Sequence, residues 1–307
     1  MKLATTTMDL YSFANTYEKR IELFQQTPFR YLDLGLYLNF LSDNYLEEAK
    51  KIKETADRCG FRFLQSHASD WFPLDPTKDQ KEEVLKKERV LECCALIGIP
   101  SVVIHPFRPY GDTQLYPEGR ERFFADNKKA YELLYPAMER YGVQVLIENS
   151  AEVNMKGRYF FMTGKEMADF LDECNHPLLR AVWDIGHANL RGNNQYEDIL
   201  ALGKHLSALH IQDNDGQKDE HTAPFQGTVN MDAVMQGLLK IGYQGAFAFE
   251  ANHLTLNSGE WPYKRNTFQG ELPNRLDNPS LQLKLLSEKL LYETGKYILE
   301  SYGVFEE

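Results

Sequence analysis

Short apolar runs alternate with longer amphipathic ones along this chain, and several junctions between them carry a glycine at the same place. The helix-period segment 45–59 stops at Gly60 and an apolar run follows. Segment 80–97 stops at Gly98, and 120–141 stops at Gly142, each again before an apolar run. A glycine just past the last helical residue is the expected cap, because it takes up left-handed backbone without a Cβ penalty. Extended over the chain, the pattern predicts strands over 3–8, 31–37, 61–67, 101–107, 143–148, 179–185, 206–212 and 245–250. Helices are predicted over 17–26, 45–59, 80–97, 120–141, 165–174, 196–204, 232–241 and 281–302. Runs such as SVVI, VQVLI and AFAF are apolar throughout, as parallel strands covered on both faces are. An open doubly wound sheet would carry a glycine-rich phosphate turn after its first strand, and none is present. Eight units in register therefore predict an α/β fold, a single (β/α)8 TIM barrel domain over residues 1–307, with a long loop after strand 8 and a C-terminal helix.

Composition narrows the class. A hydrophobic content of 43% over 307 residues is enough for a sizeable core. No run approaches the ~18 apolar residues of a membrane span, and the opening MKLATTTMDLYSF lacks the basic-then-apolar profile of a secretory signal. Cys59, Cys93, Cys94 and Cys174 form no CxxC pair, so reduced thiols in a cytoplasmic protein are expected. The net charge of −11 argues against nucleic acid as a partner. Lys50, Lys51 and Lys53, and likewise Lys86, Lys87 and Arg89, are interleaved with glutamates as on solvated helix faces.

Four residues each end one of the apolar runs: Glu148 (VQVLIE), Asp184 (LLRAVWD), His210 (LSALH) and Glu250 (GAFAFE). In a parallel barrel the strand C-termini meet at one mouth, so three carboxylates and an imidazole would converge there. Such a set suits a divalent metal ion. A second tier stands at similar places. His67 ends FLQSH, His105 ends VVIH, His187 follows Asp184 by three residues, and Asp219 and His221 lie in the loop after His210. Each has a plainer reading: Asp184 as a helix N-cap, Glu250 as a salt-bridge partner, His210 as a core imidazole, Glu148 as an exposed strand end. Repetition at equivalent positions outweighs these. His253 also lies near Glu250, whereas His176 and His205 read as structural. Trp71 and Phe72 suit either an apolar wall for a sugar ring or plain packing. The segment 252–278, with Pro262 and Pro273 inside it, reads as a lid. Its Trp261, Tyr263 and Phe268 would suit packing against a second subunit in a homo-oligomer.

A divalent ion held by Glu148, Asp184, His210 and Glu250 would leave positions for two adjacent substrate oxygens. It would polarise a carbonyl and stabilise the enediolate formed when the neighbouring carbon loses a proton. Two glutamates from different sides of the mouth would take and return that proton.

These residues resemble the xylose isomerase-like barrel superfamily, which unites sugar and sugar-phosphate isomerases and epimerases with endonuclease IV. The segments that carry the resemblance are IEN, WDIGHANL, LHIQDND with DEH downstream, and FAFE. The ketose 3-epimerase pattern implies one metal on Glu148, Asp184, His210 and Glu250, with Glu148 and Glu250 as the catalytic acid/base pair and His187 on a substrate hydroxyl. The endonuclease IV pattern implies up to three zinc ions on His67, His105, Glu148, Asp184, His187, His210, Asp219, His221 and Glu250. Two features depart from these patterns. The 3-epimerases carry an arginine shortly after the strand-seven histidine, where this chain has Asp213-Asn214-Asp215-Gly216. The DNA enzymes display minor-groove loops, for which Arg108 and Arg158 are only isolated counterparts. The expected function is a divalent-metal-dependent (Mn²⁺, Co²⁺, Mg²⁺ or Zn²⁺) isomerase or epimerase on a small carbohydrate or its phosphate. Abasic-site phosphodiester hydrolysis, a lyase or dehydratase on the same scaffold, and a non-catalytic binding barrel are the alternatives.

Overall fold

A computed structural model of the chain describes residues 1–68, 80–106, 115–251 and 268–307. Eight parallel strands form the sheet: β1 Leu3–Thr6, β2 Tyr31–Leu36, β3 Arg62–Ala68, β4 Ser101–Val103, β5 Gln144–Glu148, β6 Leu179–Asp184, β7 Leu206–His210 and β8 Phe247–Phe249. Each strand from β1 to β6 pairs with the next in sequence, and β8 pairs with β1. The ring is completed between β7 and β8 by the bridge Ile211–Phe249. There the Ile211 N–H donates to the Ala248 carbonyl at 2.8 Å, and the Glu250 N–H donates to the Ile211 carbonyl at 3.1 Å. The expected TIM barrel is therefore the observed fold, and helix Leu281–Ser301 ends it.

The strand alternation builds two layers of core. Residues such as Leu32, Leu34, Val145, Ile147, Trp183, Leu209, Phe247 and Phe249 belong to the large cluster between sheet and helices. Their neighbours in sequence turn inward, where Val103, Leu146, Val182 and Ala208 form one small set and Ala4, Ala246 and Ala248 another. A period of two fixes which residue reaches the barrel axis.

Gly60, Gly98 and Gly142 hold left-handed backbone at the ends of their helices, as their spacing predicts. The long helix expected over 120–141 is two helices, Arg120–Glu132 and Tyr135–Tyr141. The second starts around Pro136, whose ring and missing N–H do not suit a helix interior. The first predicted strand is shorter than expected, because Thr7–Phe13 forms a 3-10 turn. Helix Ile185–Arg191, immediately after β6, falls outside the predicted pattern altogether. The expected strand 101–107 is observed as Ser101–Val103.

Trp71, Phe72, Arg108, His253, Trp261 and Tyr263 lie outside the described residues, as does the lid reading for 252–267. Residues 268–278 carry no helix or strand, and Phe268 is exposed. Among the described residues no helix is long and apolar enough to cross a membrane. The four cysteines are unpaired with one another, and burial pushes the Cys93 thiol up to about 12.

Candidate metal centre

Each residue of the central group stands two positions beyond an inner-layer residue on its own strand or just past it. Leu146 leads to Glu148, Val182 to Asp184, Ala208 to His210 and Ala248 to Glu250. The strand period therefore turns all four side chains to the barrel axis at its C-terminal mouth. Their donor atoms lie within 4.8 Å of one another. Glu148, Asp184 and His210 are buried, and Glu250 is partly open.

Glu148 sits at the middle of the arrangement. Its Oε1 is 2.9 Å from His210 Nδ1; its Oε2 is 2.9 Å from His105 Nε2 and 3.6 Å from His67 Nε2. Burial would raise its carboxyl, but the charge of His210 and hydrogen bonds from His105, His210 and His67 carry it well below the usual carboxylate range. Asp184 is the opposite case. Burial, with the Glu148 and Glu250 charges adding to it against His187, pushes its carboxyl up to about 6. His210 Nδ1 also lies 3.4 Å from Glu250 Oε2. Burial alone would lower the His210 imidazole, but Glu250 and Glu148 raise it well above its ordinary value.

Asp184 is the helix N-cap weighed for it in the sequence and also a member of the converging acidic group. Its Oδ1 accepts the His187 N–H at 2.7 Å, capping helix Ile185–Arg191, and Gln212 Nε2 at 3.2 Å. Its Oδ2 lies 3.5 Å from Gln212 Nε2 and 3.7 Å from His187 Nδ1.

The second-tier residues form two further groups: His67, His105 and Glu148, and His187, Asp219 and His221. Asp219 lies between its two imidazoles, 3.3 Å from His187 Nε2 and 3.2 Å from His221 Nε2. Against its burial, those imidazoles hold the Asp219 carboxyl well below the ordinary range. Backbone carbonyls set the ring orientation. His67 Nδ1 faces the Ala68 carbonyl at 3.0 Å, His187 Nδ1 that of Asn149 at 2.9 Å, and His221 Nδ1 that of Glu250 at 2.8 Å. A carbonyl only accepts, so Nδ1 carries the hydrogen in each and Nε2 faces the acidic groups. All nine residues singled out from the sequence are therefore brought together. His176, stacked on Tyr135, and His205, against Asp172, stand apart in other contacts.

Several supporting residues were not singled out by sequence reasoning. The Asn149 amide donates to the Asp184 carbonyl and accepts the Asp184 N–H, both at 2.8 Å, tying the ends of β5 and β6. Gln212 Nε2 bridges Asp184 and Asp219 Oδ1, the latter at 3.1 Å. Asp213, where the 3-epimerase pattern has its arginine nearby, accepts backbone N–H groups of Asn214, Phe225, Gly227 and Val229 at 2.9–3.0 Å. It organises the loop that carries Asp219 and His221. Asp33 and Gln65 form a floor beneath His210. Polar residues at inward positions of otherwise apolar strands were the available signal.

Three carboxylates converging on a buried point repel one another and lose hydration, which is unfavourable without a counter-charge. The elevated Asp184 carboxyl is the local sign, chiefly of the burial and in smaller part of the Glu148 and Glu250 charges. A mixed carboxylate and imidazole donor set of this kind fits a divalent cation.

The family model for the xylose isomerase-like TIM barrel matches residues 21–266. A ketose 3-epimerase of Arthrobacter globiformis is 28% identical over 113 residues, covering 36% of this chain and 35% of that protein. The chain spans about half the length of curated relatives from Methanocaldococcus jannaschii and Sinorhizobium fredii that it matches. Among solved structures, D-psicose 3-epimerase with D-tagatose from Clostridium cellulolyticum H10 superposes with a TM-score of 0.71 at 16% identity, covering 97% of this chain and 99% of that one. The IolI protein with a zinc atom superposes with a TM-score of 0.72 at 17% identity, covering 98% and 99%.

Proposed function

This chain belongs to the xylose isomerase-like TIM barrel family, and we propose that it is a divalent-metal-dependent isomerase or epimerase of a sugar or sugar phosphate. The observation that carries the reading is the convergence of Glu148, Asp184, His210 and Glu250 donors within 4.8 Å at the barrel mouth. The ketose epimerase relative and neighbour support the carbohydrate class. When bound, the ion supplies the positive charge that stabilises an enediolate. Glu250 is the carboxylate placed to exchange a proton with substrate, since its side chain is 29% exposed against 4% for Glu148. Glu148 is its partner in the acid/base pair. The His105 Nε2 contact at 2.9 Å holds the Glu148 carboxylate in place. Return of the proton to the opposite face inverts a carbon, and return to the neighbouring carbon isomerises the sugar.

The test is proton exchange with solvent. Incubated in D₂O with Mn²⁺ and a panel of ketoses and their phosphates, the enzyme is expected to label one substrate carbon. Glu250→Gln should lower that rate by about 10²–10⁴-fold with the fold intact. Near-normal exchange in the variant refutes the assignment.

A second reading is favoured by a specific observation: the two outlying groups complete a nine-residue set around the shared Glu148. This is the set the endonuclease IV pattern implies. Binding of three zinc ions together with incision of abasic duplex DNA would replace the sugar reading.

A further inference from the structure

His210 is held differently from the other site histidines whose ring contacts are defined above. His67, His187 and His221 each donate from Nδ1 to a neutral backbone carbonyl and turn Nε2 to a carboxylate, with more distant carboxylate oxygens 3.7 Å from His187 Nδ1 and 4.0 Å from His221 Nδ1. His210 is reversed: Nδ1 faces Glu148 and Glu250, and Nε2 faces a carboxylate, Asp33 Oδ2, at 3.7 Å. Asp33 stands on β2, separated from β7 by β8 and β1, and reaches across the barrel floor. It is 3% exposed, and its Oδ1 has no hydrogen-bond partner among the described residues. Gln65 fixes it from β3. The Gln65 Nε2 donates to Asp33 Oδ2 at 2.7 Å and to the carbonyl of Leu209, the residue before His210, at 3.3 Å.

A carboxylate buried with one oxygen unpaired is unfavourable for packing alone, so its position calls for another account. At 3.7 Å the contact with His210 is electrostatic, not a made hydrogen bond. His210 Nδ1–H donates to Glu148 and Nε2–H points at Asp33. An ion on Nδ1 would displace the first of these hydrogens, and the Asp33 charge favours keeping the second on Nε2. A carboxylate behind an imidazole also raises its donor strength more than a neutral carbonyl does.

We infer that Asp33 is a positioning residue that keeps the His210 hydrogen on Nε2 when Nδ1 gives up its own to a divalent ion among Glu148, Asp184 and Glu250, and so ranks this central group above the two outlying ones. The inference rests on the metal reading of the central group given above.

The experiment is a Mn²⁺ titration against a competing chelator for the full chain and for Asp33→Asn and Asp33→Ala, with the His210 ring ¹⁵N shifts read in the Zn²⁺-loaded proteins. Asp33→Asn keeps the shape and an acceptor for Gln65, so it carries the test if Asp33→Ala fails to fold. The first Mn²⁺ should bind about 10–100-fold more weakly in the variants, with any later ions unchanged. In the parent protein, His210 should bind the metal through Nδ1 and retain its hydrogen on Nε2. A first-ion affinity within twofold of the parent, or a lower melting temperature of the metal-free variants with that affinity unchanged, overturns the role of Asp33 and leaves the metal reading standing. A parent protein that binds no Mn²⁺ overturns the metal reading and this inference with it.

Discussion

Gly186 lies between Asp184 and His187, and a methyl group there should disable the site without touching any of its nine acidic and imidazole residues. A Cβ at this position would stand 2.0 Å from Gln212 Cδ, 2.1 Å from Oε1 and 2.4 Å from Nε2. Carbon atoms in contact sit about 3.5–4.0 Å apart, so the amide must move by roughly 1 Å or more. A flexible side-chain end would usually swing away at little cost, but Gln212 is fully buried and pinned. Its Nε2 donates to Asp184 Oδ1 at 3.2 Å and to Asp219 Oδ1 at 3.1 Å, and its Oε1 accepts from Asn214 Nδ2 at 3.3 Å. Hydrogen bonds to charged groups contribute about 1.5–3 kcal/mol each, so losing the two carboxylate bonds puts Gly186→Ala at about 3–6 kcal/mol destabilising. For a chain of this length that is a fall in melting temperature of roughly 5–9 °C. Loss of such a supporting contact should also weaken metal binding by about 10–100-fold. The assay is a melting curve with and without Mn²⁺, and the same titration for Gln212→Ala and for the double variant. With the amide gone the methyl has room, so the double variant should resemble Gln212→Ala alone, a strongly non-additive cycle. Additive effects, or a Gly186→Ala protein with parental melting and affinity, would refute the reasoning.

Further outcomes follow from the same structure. Asp213→Ala leaves four backbone N–H groups without their carboxylate. It should destabilise by at least about 3 kcal/mol and speed hydrogen exchange at Phe225, Gly227 and Val229; unchanged protection at those amides would contradict this. Asp198 titrates against folding. Burial raises its carboxyl from 3.8 to about 6, although the Gly164 N–H donates to it at 2.8 Å. Because the folded state holds that proton more tightly, the contribution of Asp198 to stability falls as pH rises from about 4 to 6. Asp198→Asn keeps an acceptor for Gly164 and should lose that fall, so the difference in melting temperature between variant and parent should widen over this window. Parallel melting curves from pH 4 to 7 would remove Asp198 as the cause.

The barrel was legible because two local rules agree along the chain. A glycine after a helix and an apolar run after the glycine specify a strand that is covered on both faces, and Gly60, Gly98 and Gly142 do this three times. The site was legible for the same reason: an acid or imidazole two residues past an inner-layer Leu, Val or Ala has only the mouth to enter. The rest depends on distances in space that periodicity does not carry. Asp33 and Gln65 read locally as polar residues in strands, and their partner His210 is more than 140 residues away. Gln212 and Asp213 read as loop residues, although one bridges two carboxylates and the other is the hub of its loop. Pro136 was visible in the sequence, yet the helical period on either side of it masked the break between Glu132 and Tyr135.

The central claim is that Glu148, Asp184, His210 and Glu250 together hold a divalent ion. Its most direct test is metal content per chain, by elemental analysis after chelator treatment and reconstitution with Mn²⁺, for the parent protein and for Asp184→Ala and His210→Ala. The account predicts one tightly held ion that survives gel filtration in the parent and is lost from both folded variants. A parent protein that retains no ion, or variants that retain the same ion, would contradict it.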